Sequence, residues 1–319
     1  MADHSEIARS GGAGAIVMIC GPTAAGKSGL ALSLAQQAGG VVINADSMQL
    51  YQDLRILTAR PDDTEMALAP HRLYGVMDGA ERASVAAWLD MVSTEVAAAR
   101  EGGALPIIVG GTGLYFHAAM HGIAPVPDVP REIHDSCVQH LAEKGGAMFR
   151  ASLAELDPAT AGRLHDGDSQ RLVRAMGVAL ATGRSLSDWQ SDPHQGALKG
   201  PCFRIAMMPP RDTLYATIDK RFQAMMNAGA ATEVAALAAR RLDASLPVMK
   251  AIGVREIMAM QAGQMSQSAA IEQASRDSRR YAKRQMTWIR NNFNAEITII
   301  EQESERNIKE IFAILSKIS

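Results

Sequence analysis

The sequence predicts an α/β fold in which a parallel sheet flanked by helices carries a helical insertion. Three observations predict it. The apolar run Ala15 to Cys20 leads into Gly21-Pro22-Thr23-Ala24-Ala25-Gly26-Lys27-Ser28, which fits G-x-x-x-x-G-K-[ST] with a helix-forming segment, Leu30 to Gln37, behind it. Further β-branched runs alternate with helical stretches, the sign of βαβ units in a parallel sheet. From Gly122 to about Gly200 the chain is helical in period with almost no strand signal, after a stiff entry, Pro125 to Pro130. The expected division is a disordered tail over 1–14, a P-loop NTPase-like core over 15–121 and 200–319, and a helical insertion over 122–199.

In chain order, Gly40 to Ser47 reads as a second buried strand with Asp46 and Ser47 at its tip. A helix from Ser84 to Arg100 precedes a third strand, Leu105 to Val109, which ends in Gly110-Gly111-Thr112-Gly113 and opens a helical stretch, Leu114 to Met120. Ligands gather at the C-terminal ends of parallel strands, so the phosphate loop, Asp46-Ser47 and Gly110-Gly111-Thr112 should converge on one crevice. In the insertion, helices are expected over Glu132 to Glu143, Phe149 to Leu156 and Gln170 to Thr182, punctuated by Gly145-Gly146, Asp157-Pro158 and Gly183. The strand pattern returns at Cys202 to Met208. Helices follow over Asp212–Asn227, Ala230–Arg241, Lys250–Gln261 and Ser268–Asn292, then a strand, Glu296–Ile300, and a last helix, Asn307–Lys317.

Composition narrows the classes. With 47% hydrophobic and 21% charged residues over 319, the chain reads as soluble and globular. A net charge of −2 provides no global attraction for nucleic acid, so any basic surface must be local. Three cysteines, Cys20, Cys137 and Cys202, are too far apart for a zinc motif or a disulfide framework and fit a reducing compartment. The first apolar run is too short for a signal peptide or a membrane span, so a cytoplasmic protein is expected.

The chemistry starts at the loop. Its glycines let the backbone approach an anion, its amides and the following helix N-terminus form a cradle, Lys27 adds charge, and the Ser28 hydroxyl is placed for Mg²⁺. Asp46 at a neighbouring strand tip fits a metal ligand or a general base, or else a turn cap. Gly110-Gly111-Thr112 stands where a phosphate-loop ATPase would often carry an acid, although Thr112 would equally serve as an N-cap. Between Arg276 and Arg290 lie six Arg or Lys and one acid, Asp277. Met286, Ile289 and Phe293 form the apolar stripe of an amphipathic helix, while Arg276, Arg280 and Arg284 repeat at i,i+4, where unpaired like charges repel. A polyanion partner explains that stripe better than solvation does. Tyr281 and Trp288 offer stacking or packing surfaces. His117 and His121 lack the Glu of a zincin motif, and the eighteen methionines are ordinary core filling.

Taken in order, the phosphate loop, Asp46-Ser47-Met48-Gln49-Leu50-Tyr51, Thr58-Ala59-Arg60-Pro61, Pro70-His71-Arg72-Leu73, Val109-Gly110-Gly111-Thr112-Gly113-Leu114-Tyr115, Asp168-Ser169-Gln170-Arg171-Leu172 and Ala282-Lys283-Arg284-Gln285-Met286-Thr287-Trp288-Ile289-Arg290 resemble the bacterial tRNA dimethylallyltransferases. The resemblance runs from residue 15 to about 290. It implies transfer of a dimethylallyl group from dimethylallyl diphosphate to N6 of the adenosine 3′ of the anticodon in tRNA. It also implies that Gly21, Thr23, Ala24, Ala25, Gly26, Lys27 and Ser28 hold the donor's diphosphate instead of ATP, with Mg²⁺ on Ser28. By the same pattern Asp46 is the general base, Thr112 contacts the reacting centre and Arg221 is directed at the diphosphate. Ser47, Met48, Gln49, Gln170, Arg171, Arg174, Lys250, Arg255, Lys283, Arg284, Gln285, Thr287, Trp288 and Arg290 match positions that touch tRNA, and the insertion matches a domain that grips the anticodon stem-loop.

Leu57, where many members have Gly, and Arg60, in place of a common Lys, depart from the family pattern. From the cysteine count, no zinc-finger extension of the eukaryotic kind is expected, which fits the bacterial type. A monomer is expected. The rival readings are a small-molecule kinase using ATP, which has no use for the basic helix, and an RNA-binding regulator with a degenerate loop, which the intact Gly26, Lys27 and Ser28 argue against.

Overall fold

A computed structural model describes residues 14–301 and residue 311. The expected tail, apart from Gly14, and the expected last helix, apart from Ile311, lie outside the described residues. The described residues form two units, one from the chain up to residue 120 together with the chain from residue 198, the other over 121–197.

The first unit opens with β1 (Ile16–Cys20), α1 (Lys27–Ala38) and β2 (Gly40–Asn44), both strands buried throughout. Next come α2 (Asp63–Leu68), β3 (His71–Arg72), α3 (Val85–Glu101), β4 (Leu105–Gly110) and α4 (Gly113–His121). Neither α2 nor β3 is visible in the sequence pattern. The first is a six-residue helix set by a capping box between Asp62 and Glu65, and the second is a two-residue strand held by pairing with β2.

The second unit is helical. Its α5 (Arg131–Leu156) is broken at Gly145, whose φ of 74° and ψ of 163° leave the helix at the predicted Gly-Gly punctuation. It continues with α6 (Pro158–Arg163), α7 (Ser169–Thr182) and α8 (Leu186–Gln190), of which α6 and α8 are too short to show a period. Its own core is Cys137, Phe149, Leu153, Ala161, Leu172, Val173, Ala175 and Met176. Asp157, fully buried, ties it together by accepting from Thr160 N (2.9 Å), Ser187 N (3.1 Å) and Ser187 Oγ (2.7 Å). Burial alone would raise that carboxyl, but these donors hold it below the usual carboxylate range.

The chain returns to the sheet as β5 (Cys202–Met207), followed by α9 (Arg211–Asn227), α10 (Ala230–Ala239), α11 (Val254–Gln261), α12 (Gln267–Asn292) and β6 (Ile297–Ile299). The single helix expected over 250–261 is instead a 3₁₀ turn, Val248–Lys250, and α11, separated at Gly253 with φ of 97°. The six strands lie in the order β3-β2-β4-β1-β5-β6, and every pair is parallel. Residues alternate across a strand. Val17 and Ile19, Val42, Ile107 and Val109, and Phe203 and Ile205 therefore share one buried cluster with Leu30, Ala31 and Leu34 of α1. Among the described residues no helix is long and apolar enough to cross a membrane.

Candidate active site

The strand tips are stitched together by hydrogen bonds. Gly21 N donates to Gly110 O (3.3 Å), Ala45 N to Val109 O (2.7 Å) and Thr112 N to Ala45 O (3.2 Å), so the ends of β1, β4 and β2 meet at one edge. Asn44, fully buried, shapes the turn that follows β2. Its amide donates to Asp46 O (2.9 Å) and Leu73 O (3.0 Å) and its Oδ1 accepts from Asp46 N (2.8 Å). Asp46 Oδ1 in turn accepts from Met48 N (3.0 Å), so the turn-cap reading of this carboxylate holds for one of its oxygens.

A cavity of about 380 Å³ lies at this edge. Its lining includes Thr23, Gly26, Lys27, Ser28, Asp46 and Arg221, so residues from the phosphate loop, α1, the turn after β2 and α9 face one space. Gly26, with φ of 84°, opens α1, and the first amides of a helix have no partner inside it, which leaves those of Gly26, Lys27 and Ser28 beside the cavity as anion donors. Burial pulls the Lys27 ammonium down to about 8, Asp46 acts in the opposite sense, and Arg221 adds to the lowering. The Arg221 guanidinium is likewise lowered by burial and raised by Asp46. The lining carries three cations, Lys27, Arg60 and Arg221, and three carboxylates, Asp46, Asp62 and Glu65, and the two desolvated cations, Lys27 and Arg221, both feel Asp46. That is the electrostatics of an anion site with a base beside it.

Other candidate residues lie in the wall of the cavity or beside it. The Thr112 hydroxyl accepts from Ser47 N (3.0 Å), joining the β4 tip to the Asp46 turn. Gln49 lines the cavity, but its amide nitrogen is engaged by Thr58 O (2.9 Å) and Ala59 O (3.0 Å). Thr58, Ala59 and Arg60 form part of the wall, as does Tyr74, whose phenol is pushed up by burial and by Asp46. The loop leading to them is pinned by Glu233, whose carboxylate accepts three consecutive amides, those of Arg55 (2.5 Å), Ile56 (2.9 Å) and Leu57 (2.9 Å). No spacing could have revealed that pairing, because it joins residues almost two hundred positions apart.

Of the residues expected to touch tRNA, Lys250, Arg255, Lys283, Arg284, Thr287 and Arg290 are exposed on the first unit, and Gln170, Arg171 and Arg174 on the second. Ser47 and Met48 are half-buried in the Asp46 turn. Gln285 is buried, and Trp288 is half-buried against Gly113, where an added Cβ would lie 2.4 Å from the indole. Of the three arginines at i,i+4 spacing, only Arg280 has an acidic partner, while Arg276 and Arg284 meet neutral groups. Arg276 bonds Gln273, Arg279 pairs with Asp219, Arg280 pairs with Asp277 at 3.4 Å, and Arg284 stacks 5.6 Å from the Tyr281 ring. These partners lie one helical turn or one neighbouring helix away, which i,i+4 counting of arginines alone overlooked.

Residues 49–292 match the profile of a family described as IPP transferase. A tRNA dimethylallyltransferase of Paramagnetospirillum magneticum is 50% identical over 296 residues, 93% of this chain and 94% of that one. One of Rhodospirillum rubrum is 50% identical over 307 residues, 95% and 94% of the two chains. Among solved structures, the tRNA isopentenylpyrophosphate transferase of Bacillus halodurans superposes with a TM-score of 0.68 at 31% identity, covering 95% of this chain and 96% of that one. A eukaryotic dimethylallyltransferase acting on tRNA superposes with a TM-score of 0.79 over 94% of this chain and 78% of its own, and at 23% identity that is a likeness of fold.

Proposed function

The chain belongs to the IPP transferase family and is a tRNA prenyltransferase, and we propose that it moves a dimethylallyl group from dimethylallyl diphosphate to N6 of the adenosine 3′-adjacent to the anticodon. The observation that carries the finer reading is the cavity in which Lys27, Ser28 and Arg221 face Asp46. An adenine N6 is a weak nucleophile because its lone pair is delocalised into the ring. As N6 bonds the allylic carbon, the bond from that carbon to the diphosphate oxygen breaks and the N6 proton passes to Asp46. The diphosphate leaves with the bonding electrons, and Lys27, Arg221 and the amides at the start of α1 stabilise its charge. Thr112, fixed by Ser47, orients the adenine at the β4 tip. An adenine that must reach such a cavity leaves its stack.

The donor set suits Mg²⁺. Among the described residues no group of three or more His, Cys, Asp or Glu could hold an ion, and Mg²⁺ prefers few protein ligands plus phosphate oxygens, so Ser28 and the diphosphate would hold it. When bound it would neutralise charge on the leaving group. The exposed basic residues of α12 and of α7 in the second unit contact the anticodon stem-loop. A kinase would need ATP at the same loop, and the relatives give that reading no support. Incubation with unmodified tRNA and labelled dimethylallyl diphosphate, without ATP, beside an ATPase assay, decides it. Label in RNA is expected, and ATP turnover without label would overturn the assignment.

A further inference from the structure

Three residues of α12 at helical spacing, Tyr281, Gln285 and Trp288, turn inward to the β4–α4 turn. Burial and Asp46 push the Tyr281 phenol up, the Thr112 side chain acts in the opposite sense, and Trp288 covers Gly113. Gln285 reaches further. Its Oε1 accepts from Thr23 N of the phosphate loop (2.9 Å) and its Nε2 donates to Gly111 O (2.8 Å). A Cβ at residue 111 would lie 2.2 Å from that nitrogen, so a glycine is needed there for the amide to fit. Only a planar amide of this length presents one acceptor and one donor to two backbones at once.

We propose that Gln285 is a positioning residue for the diphosphate cradle, a buried strut that fixes the phosphate loop to the β4 tip, and not a contact to tRNA. It consumes the Thr23 amide, so Thr23 shapes the cradle and the amides at the α1 start bind in it. The inference rests on the reading of this loop as a diphosphate site. The lysine and arginine immediately before it on α12 face solvent, so one helix carries a polyanion-facing surface on one side and the support of the donor site on the other.

The test is binding of inorganic diphosphate to the full chain by calorimetry, with tRNA affinity measured on the same variants. Gln285→Met removes both hydrogen bonds without adding charge and should weaken diphosphate binding about tenfold while tRNA affinity stays within twofold. Gln285→Glu keeps the shape but sets a carboxylate against Gly111 O. Its ionised form should bind diphosphate worse than the Met variant, and protonation restores a donor to that carbonyl. The ratio of its Kd to that of the wild type should therefore fall at least threefold from pH 8 to pH 5.5, whereas the Met ratio stays flat. A variant that only loosened the fold would show no such rescue. Diphosphate affinity within twofold of wild type in both variants, a pH-independent Glu ratio, or a loss confined to tRNA would each overturn the proposal. Failure of prenyl transfer by the wild type would instead remove the reaction and leave the diphosphate measurement standing.

Discussion

Asp46 and Lys27 face the same small space. Asp46→Asn keeps the turn, because the amide oxygen still accepts from Met48 N, yet it removes the proton acceptor. Single-turnover transfer should drop by about 10²–10⁴-fold, with donor and tRNA affinities within a few-fold; near-wild-type turnover would take Asp46 out of the base role. Lys27 has a different signature. Its ammonium sits at about 8 through burial, and a bound diphosphate favours the charged form and raises that value. Diphosphate affinity should hold below pH 8 and decline above it. Binding near pH 8.5 should take up a proton, seen as a calorimetric enthalpy that changes with the ionisation heat of the buffer. Lys27→Met should abolish the uptake, and proton release by the wild type would contradict the assignment.

At the scale of elements, the long helix α12 shows what periodicity can and cannot say. Its apolar stripe was legible, and Met286, Ile289 and Phe293 are buried. The same spacing is silent on polar residues that face inward, so it left Trp288 open between stacking and packing and gave no sign that Gln285 is buried against the β4–α4 turn. The strands and the glycine-rich tips were legible because buried β-branched runs and turn residues are local signals. The two-residue β3, the six-residue α2 and the Glu233 anchor were not, because pairing, a cap and a long-range carboxylate contact define them. What remains exposed on α12 carries a prediction. Lys283→Ala with Arg284→Ala should weaken tRNA binding and flatten the dependence of log K on log salt by about two, roughly one per lost phosphate contact. An unchanged slope would return these residues to a solvated face.

For the whole molecule, each of the two units has a core of its own. Every residue lining the cavity belongs to the sheet-containing unit, and the helical unit has its own core and its own buried knot at Asp157. The Pro-rich entry and the lack of strand signal announced that unit, but not the knot, because a carboxylate that caps α6 and also binds Ser187 joins segments thirty residues apart. Removing it leaves buried donors without an acceptor, which costs more than a surface contact does. Asp157→Ala should therefore raise amide exchange across 131–190 while exchange in β1, β2 and β4 stays at the wild-type level. Inorganic diphosphate should bind this variant with unchanged affinity, because no group in the cavity has moved. Binding of the anticodon stem-loop should fall at least tenfold, because Gln170, Arg171 and Arg174 lie on α7, which packs in the loosened core. Loss of diphosphate binding in the same variant would mean that the donor site depends on the helical unit, and unchanged stem-loop affinity would mean that α7 does not meet RNA.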